Sequence, residues 1–312
     1  MKKPWIPLED LFLKIQKQGG MVNSHAHFDR AFTINKESMA LTSSHLFEKW
    51  KLVDLFKMRA TEQDYFNNID LAIRKQIDYG TQAALTFIDI DNICGYRALN
   101  AAIKAKENHP NFNLRIACQT LKGVTKKTAR QTIEKALDQI DVIGSLPGKD
   151  AGKESEHLDI VMSWAKQTNK RLHVHVDQLN SPLEKETELL CRKTIEHGLE
   201  GRVTAVHSIS LACHPKHYRN EVYKMAIDSG MSFVSCPSAW IDHQRTEELM
   251  PFHNALTPVD ELLQNNLLVA LGTDNICDIY KPYCDGNLMN EIRLIIDGCK
   301  IYDEQSLIDI SV

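Results

Sequence analysis

Residues 20–27 read Gly20-Met21-Val22-Asn23-Ser24-His25-Ala26-His27, a short apolar run ending in two histidines one residue apart. Side chains at i and i+2 of a β-strand share a face, so a strand here aims both imidazoles at one point. Two imidazoles on a rigid strand are half of a transition-metal site. Seven more runs of this kind follow, at residues 81–88, 114–120, 142–146, 171–176, 203–207, 231–236 and 267–272. Between them, residues 65–79, 128–140, 158–166, 183–197 and 222–228 carry apolar side chains at a spacing near the helical repeat. Several of these stretches close on glycine, at Gly80, Gly198 and Gly230, as helices tend to. Parallel-type strands alternating with helices predict β/α architecture. Eight such units predict a closed (β/α)8 barrel of the TIM type rather than an open sheet. Residues 30–55 are too long for a plain connection, and we expect an inserted segment over the barrel mouth. Neither a linker nor a repeat divides residues 1–312, which read as one barrel domain with a capping helix over residues 5–16.

The 312 residues, 43% hydrophobic and 25% charged, suit a globular enzyme with a substantial core. A net charge of −4, scattered basic residues and no aromatic–basic interleaving argue against a nucleic-acid or membrane partner. The eight cysteines form no C-x-x-C pair and no evident disulfide framework. No stretch approaches the ~20 apolar residues of a membrane span, and no signal-type apolar segment follows the first lysines. A cytoplasmic protein is expected.

In a barrel, the C-terminal strand ends share one face. There stand His25 and His27, then His175 of the pair His173/His175, then His207 and Asp274. A lone strand-end histidine is more often a hydrogen-bonded core residue than a ligand. Imidazoles and a carboxylate at four strand ends together fit one Zn²⁺ or Fe²⁺ with a position left open to water.

The supporting stretches are residues 25–33 (His-Ala-His-Phe-Asp-Arg-Ala-Phe-Thr), 86–89 (Thr-Phe-Ile-Asp), 202–208 (Arg-Val-Thr-Ala-Val-His-Ser) and 272–283 (Gly-Thr-Asp-Asn-Ile-Cys-Asp-Ile-Tyr-Lys-Pro-Tyr). In this order they resemble the amidohydrolase superfamily, more narrowly its cytosine deaminase and N-isopropylammelide isopropylaminohydrolase branch. The resemblance implies one metal on His25, His27, His175 and Asp274, with His207 beside the reacting water. Val176–Asp177–Gln178 is similar to the stretch following the family's ligand histidine, which selects His175 and leaves His173 a layer deeper. Residues 144–147 at the end of the fourth run offer no bridging ligand, and Lys122 and Lys149 are off-register, so one ion is expected rather than two.

The implied reaction is hydrolysis of a C–N bond in a small cyclic or acylated nitrogen compound, with Asp274 moving protons and His207 stabilising charge. Gln178 stands where cytosine deaminases carry a proton-shuttling Glu, and an amide cannot exchange a proton near pH 7. The alternative is therefore a catalytically impaired protein that keeps the metal and binds a small ligand. Asp177 is expected either to carry protons or to orient His175. The substrate-contacting Gln that relatives carry after the third strand is expected to be replaced, because Leu121–Lys122 occupies that register. Arg30, Lys122, Asn275 and Trp240 are the expected substrate-binding residues, and Arg30 suits an anionic or carbonyl-rich substrate. Asp278 is expected to support the loop after the eighth strand, and His214, His217, His243 and His253 to be solvated. With 24 residues before His25 and 38 after Asp274, the resemblance implies a barrel lacking most of the family's small β-sandwich, its bare apolar surface buried in a homo-oligomer.

Overall fold

The computed structural model describes residues 4–44, 46–241 and 256–312, except for the side chains of Trp240 and Ile241. Eight strands run in chain order: β1 Met21–Ala26, β2 Thr81–Asp89, β3 Asn113–Gln119, β4 Ile143–Ser145, β5 Leu172–Val176, β6 Val203–His207, β7 Ser232–Ser235 and β8 Leu268–Leu271. Each lies within one of the predicted runs or extends it by a residue or two. They form two parallel arcs, β1–β3 and β4–β8. Single parallel bridges close the ring, Ala117 to Val142 on one side and Ala26 to Asp274 on the other. The barrel is therefore closed.

The β8–β1 seam is tight. Asp274 N donates to His25 O at 3.0 Å, and His27 N donates to Asp274 O at 3.3 Å. A Cβ on Gly272 would stand 2.7 Å from both His25 Cβ and His25 O, so only glycine lets β8 approach here. Phe87, Leu85 and Ala117 fill the lumen as a small cluster, separate from the main core between strands and helices.

A helix follows every strand. Glu62–Asp78 shows why: Thr61 and Asp64 form a capping box, and Tyr65, Ile69, Ala72, Ile73 and Gln76 make one buried face. The expected helix over 128–140 instead ends at Glu134 and resumes as a 3₁₀ turn at Leu137–Gln139. There Lys170 Nζ takes the carbonyls of Leu137 and Ile140. Helices Arg97–Asn108 and Leu288–Cys299 lie outside the predicted helical stretches. The N-terminal helix forms at Pro7–Lys17 and meets the Glu304–Asp309 helix through Lys14 and Glu304. Among the described residues, no helix is long and apolar enough to cross a membrane.

The expected insertion contains a 3₁₀ turn, Met39–Ser43, and a 14-residue helix, Leu46–Arg59. Buried charge holds that helix to the barrel. Lys57, fully buried, contacts Asp91 and lies 3.4 Å from Asp89 Oδ2, while Asp89 also takes Arg30 Nη1 at 3.0 and 3.1 Å. Burial opposes the charge on Lys57, but Asp89 and Asp91 outweigh it and hold the ammonium well above its ordinary pKa. Removing one member of such a network strands the others in a dry interior. Lys57→Met is expected to lower unfolding stability by ~3–5 kcal/mol in urea denaturation; an unchanged midpoint would mean that the network does not hold this helix.

Candidate metal centre

Strand alternation and the β8–β1 bridge bring the histidines together. His25 packs against Phe87, His175, His27 and His207, with ring centroids 4.4, 4.6, 5.0 and 5.4 Å away. Asp274 Oδ1 lies 3.1 Å from His27 Nε2 and 3.4 Å from His25 Nε2. The ligand atoms of His25, His27 and Asp274 lie within 4.8 Å of one another, as do those of His25, His175 and His207. All five residues are buried. His207 (φ 77°) and Asp274 (φ 57°), like Asp177 (φ 51°) after β5, have left-handed backbone, a strained conformation that clusters at functional strand ends.

The donors fit a transition-metal ion. His175 Nδ1 lies 3.1 Å from Ser145 O; a carbonyl only accepts, so Nδ1 carries the proton and Nε2 keeps its lone pair. His175 Nε2, both nitrogens of His25 and His27 Nδ1 are buried without hydrogen-bond partners among the described residues. Buried polar atoms are seldom left so, and borderline cations take imidazole together with carboxylate. The electrostatics agree. Burial, then the charge of Arg30, lowers His27 to about 4. Burial lowers His207 to about 3 and holds His175 well below its ordinary range. Burial pushes Asp274 up, but contact with His25 and His27 outweighs it and keeps the carboxyl ionised. Neutral imidazoles and an anionic carboxylate are the forms that bind a metal.

A cavity of about 30 Å³ adjoins the cluster. His27, His175, His207, Asp274, Arg30, Gln119, Gln178, Asn275 and Tyr280 line it, and Leu46 and Trp50 of the inserted helix reach it. An outer cavity of about 620 Å³ shares Leu46, Trp50 and Gln178 with it, so the inserted segment does cover the mouth.

The structure places the other predicted residues as follows. Gln178 and Asn275 line the inner cavity, and Asn275 donates to Asp278. Asp278 also accepts from the Tyr280 and Lys281 amides, as a loop support does. Arg30 lines the cavity, but Asp89 neutralises it, so it is not the free cation that an anionic substrate would need. Lys122 does not line the inner cavity; it pairs with Asp54 of the inserted helix. Lys149 lies 3.8 Å above the Trp50 ring. The Trp240 side chain, His243 and His253 lie outside the described residues.

Asp177 caps a helix and lines neither cavity: its carboxylate accepts the Glu186 and Thr187 amides at 2.7 and 3.1 Å. His214 is not solvated, since it is buried, bonds to Glu184 O at 2.8 Å and stacks on Tyr218. Gln119, the last residue of β3, lines the inner cavity and was not among the residues expected there. Counting by twos from the lumen residue Ala117 finds it. Nothing in the helical pattern marked Trp50.

In the metal-free protein, His27, His173 and His207 stay neutral to about pH 4, 3 and 3. The unfolded chain takes up those protons near pH 6.5, so folding loses stability as pH falls through 6.5 toward 4. We expect Tm to drop steadily over that window, and less steeply in His207→Gln; a Tm flat from pH 7 to 4.5 would contradict the buried neutral cluster.

The amidohydrolase family model matches residues 19–306. An uncharacterized protein of Haemophilus influenzae is 48% identical over 255 residues, spanning 80% of this chain and 92% of that one. N-isopropylammelide isopropyl amidohydrolase of Pseudomonas sp. strain ADP is 25% identical over 277 residues, 86% of this chain and 66% of that one. The crystal structure of 5-methylcytosine deaminase from Klebsiella pneumoniae superposes with a TM-score of 0.85 at 22% identity, over 94% of this chain and 72% of that chain.

Proposed function

The chain belongs to the amidohydrolase family, and from that premise we propose that it hydrolyses a C–N bond in a small cyclic or acylated nitrogen compound, using one divalent ion, Zn²⁺ or Fe²⁺. The observation that carries this reading is the buried set of imidazole nitrogens without partners, gathered around the single carboxylate Asp274. His25, His27, His175 and Asp274 would hold the ion. Bound there, it would supply Lewis acidity that makes water nucleophilic near neutral pH.

The chain's own groups divide the remaining work. Asp274 Oδ1 faces the two β1 imidazoles, which leaves Oδ2 to take a proton from water and return it to the leaving nitrogen. His207, held neutral by burial, acts through a hydrogen bond to the developing negative charge rather than as a cation. Gln119 and Gln178 present amides that can each donate to a carbonyl and accept from an N–H, as a planar polar ring requires. Asn275 and the Arg30 guanidinium form the rest of the polar wall, with Leu46 and Trp50 excluding bulk water.

One observation favours a second reading. Among the described lining residues Asp274 is the one carboxylate, and Gln178 cannot relay a proton. A metal-binding protein that holds a small ligand without turnover would look the same. Zinc- or iron-loaded protein offered a panel of amino-heterocycles and N-acyl compounds separates the two. We expect release of ammonia or an amine, falling by ~10²–10⁴ in Asp274→Asn. Stabilisation by panel members with no release from any of them would establish the second reading instead.

A further inference from the structure

Ser145, His157 and Asp150 form a hydrogen-bonded chain behind the metal centre. Ser145 Oγ lies 2.9 Å from His157 Nε2, and His157 Nδ1 lies 2.7 Å from Asp150 Oδ2. A carboxylate only accepts, so Nδ1 of His157 carries a proton. The chain has the order of a nucleophilic triad, but its place rules that chemistry out. Ser145 and His157 are fully buried, and neither lines the inner or outer cavity, so no substrate reaches the hydroxyl.

The strand that carries Ser145 needs an anchor. β4 is three residues long, and one bridge, Ala117 to Val142, joins its edge to the neighbouring arc. Yet the Ser145 carbonyl is the acceptor that fixes the tautomer of His175, at 3.1 Å. The side chain of the same residue runs to His157 on the Glu154–Thr168 helix. Asp150 then joins that helix to the loop after β3, accepting Thr125 Oγ1 at 2.6 Å and the Val124 and Thr125 amides at 2.7 and 3.2 Å. The Leu146 amide adds a tie to Thr120 Oγ1 at 2.8 Å.

We infer that the Asp150–His157–Ser145 chain is a positioning device for His175: it locks the end of β4 so that the Ser145 carbonyl holds His175 Nδ1–H and keeps Nε2 aimed at the metal. This rests on the metal-centre reading above. Groups that orient metal-bound histidines commonly change metal affinity by 10–100-fold.

The test follows loss of zinc from the loaded protein to excess EDTA, with Tm measured alongside. Ser145→Ala keeps the backbone carbonyl but cuts the chain, and is expected to release zinc ~10-fold faster. His157→Ala should match it, and Ser145→Thr, which keeps the hydroxyl, should return release toward the parent rate. Should His157→Ala fail to fold, Ser145→Ala and Ser145→Thr decide alone. Leu158→Ala, a buried core substitution on the same helix, should lower Tm while zinc release stays at the parent rate. Parent-rate release from Ser145→Ala, no rescue by Thr, or equally fast release from Leu158→Ala would each overturn the inference and leave the metal centre standing. A parent protein that takes up no zinc would instead remove the metal-centre reading, and this inference with it.

Discussion

The backbone pairing of the last strand with the first is the constraint on which everything else depends. Asp274 N donates to His25 O, and Asp274 O accepts from His27 N, so one residue exchanges both bonds across the seam. The same two bonds close the barrel and set the only carboxylate of the cluster against the first two imidazoles. Gly272 makes the approach possible, because any side chain there would strike His25. Fold closure and site assembly are one event. A change that loosens the seam is a change at the site, even when it touches no ligand.

That site is held dry, and its charges are arranged in two tiers. Close to the cavity His27 and His207 are neutral, Asp274 is ionised, and the Arg30 guanidinium on the wall is paired with Asp89. Behind it Arg30, Lys57, Asp89 and Asp91 form a buried ionic network. In this network burial pushes Asp29 up to about 7, with Asp89 adding to the shift. The network ties the end of β2 to the inserted helix, whose Leu46 and Trp50 reach the inner cavity. Arg30 belongs to both tiers, lining the cavity while its charge is met by Asp89. Buried ion pairs are poor sources of net stability, so positional specificity is the better account of this one.

The eight strands were legible because fully buried β-branched and apolar runs contrast sharply with polar loops. The gathering of His25, His27, His175, His207 and Asp274 was legible because strand ends in a barrel share one face. Helix Arg97–Asn108 was not: its buried face is mostly alanine (Ala98, Ala101, Ala102, Ala105), which gives little apolar contrast. Asp177 read as a proton carrier because its side chain is polar and its position suggestive, whereas three-dimensional context gave it a helix N-terminus. Arg30 read as free for the same reason, since its partner Asp89 lies 59 residues away. Gln119 was passed over because attention fell two residues further on, at Leu121–Lys122, and residues two apart on a strand share a face.

Gln119 changes what Gln178 means. With the register as first read, the chain lacked one family amide and carried another amide in place of an acid, which suggested a site in decline. With Gln119 on the cavity wall, the pocket has three neutral amides, Gln119, Gln178 and Asn275, on the same wall as one carboxylate. An amide offers both a donor and an acceptor at fixed geometry and does not titrate near pH 7. On the proposed function, such amides would meet a planar array of N–H and C=O groups without adding charge beside Asp274. An ionised Glu at position 178 would place a second negative charge on the cavity that Asp274 lines, and nearby like charges raise one of the two carboxyl pKa values. The amide at Gln178 avoids that conflict and leaves Asp274 as the one carboxylate among the described lining residues. On the proposed function, such a wall suits a neutral, hydrogen-bonding ring or amide whose leaving nitrogen one carboxylate can serve.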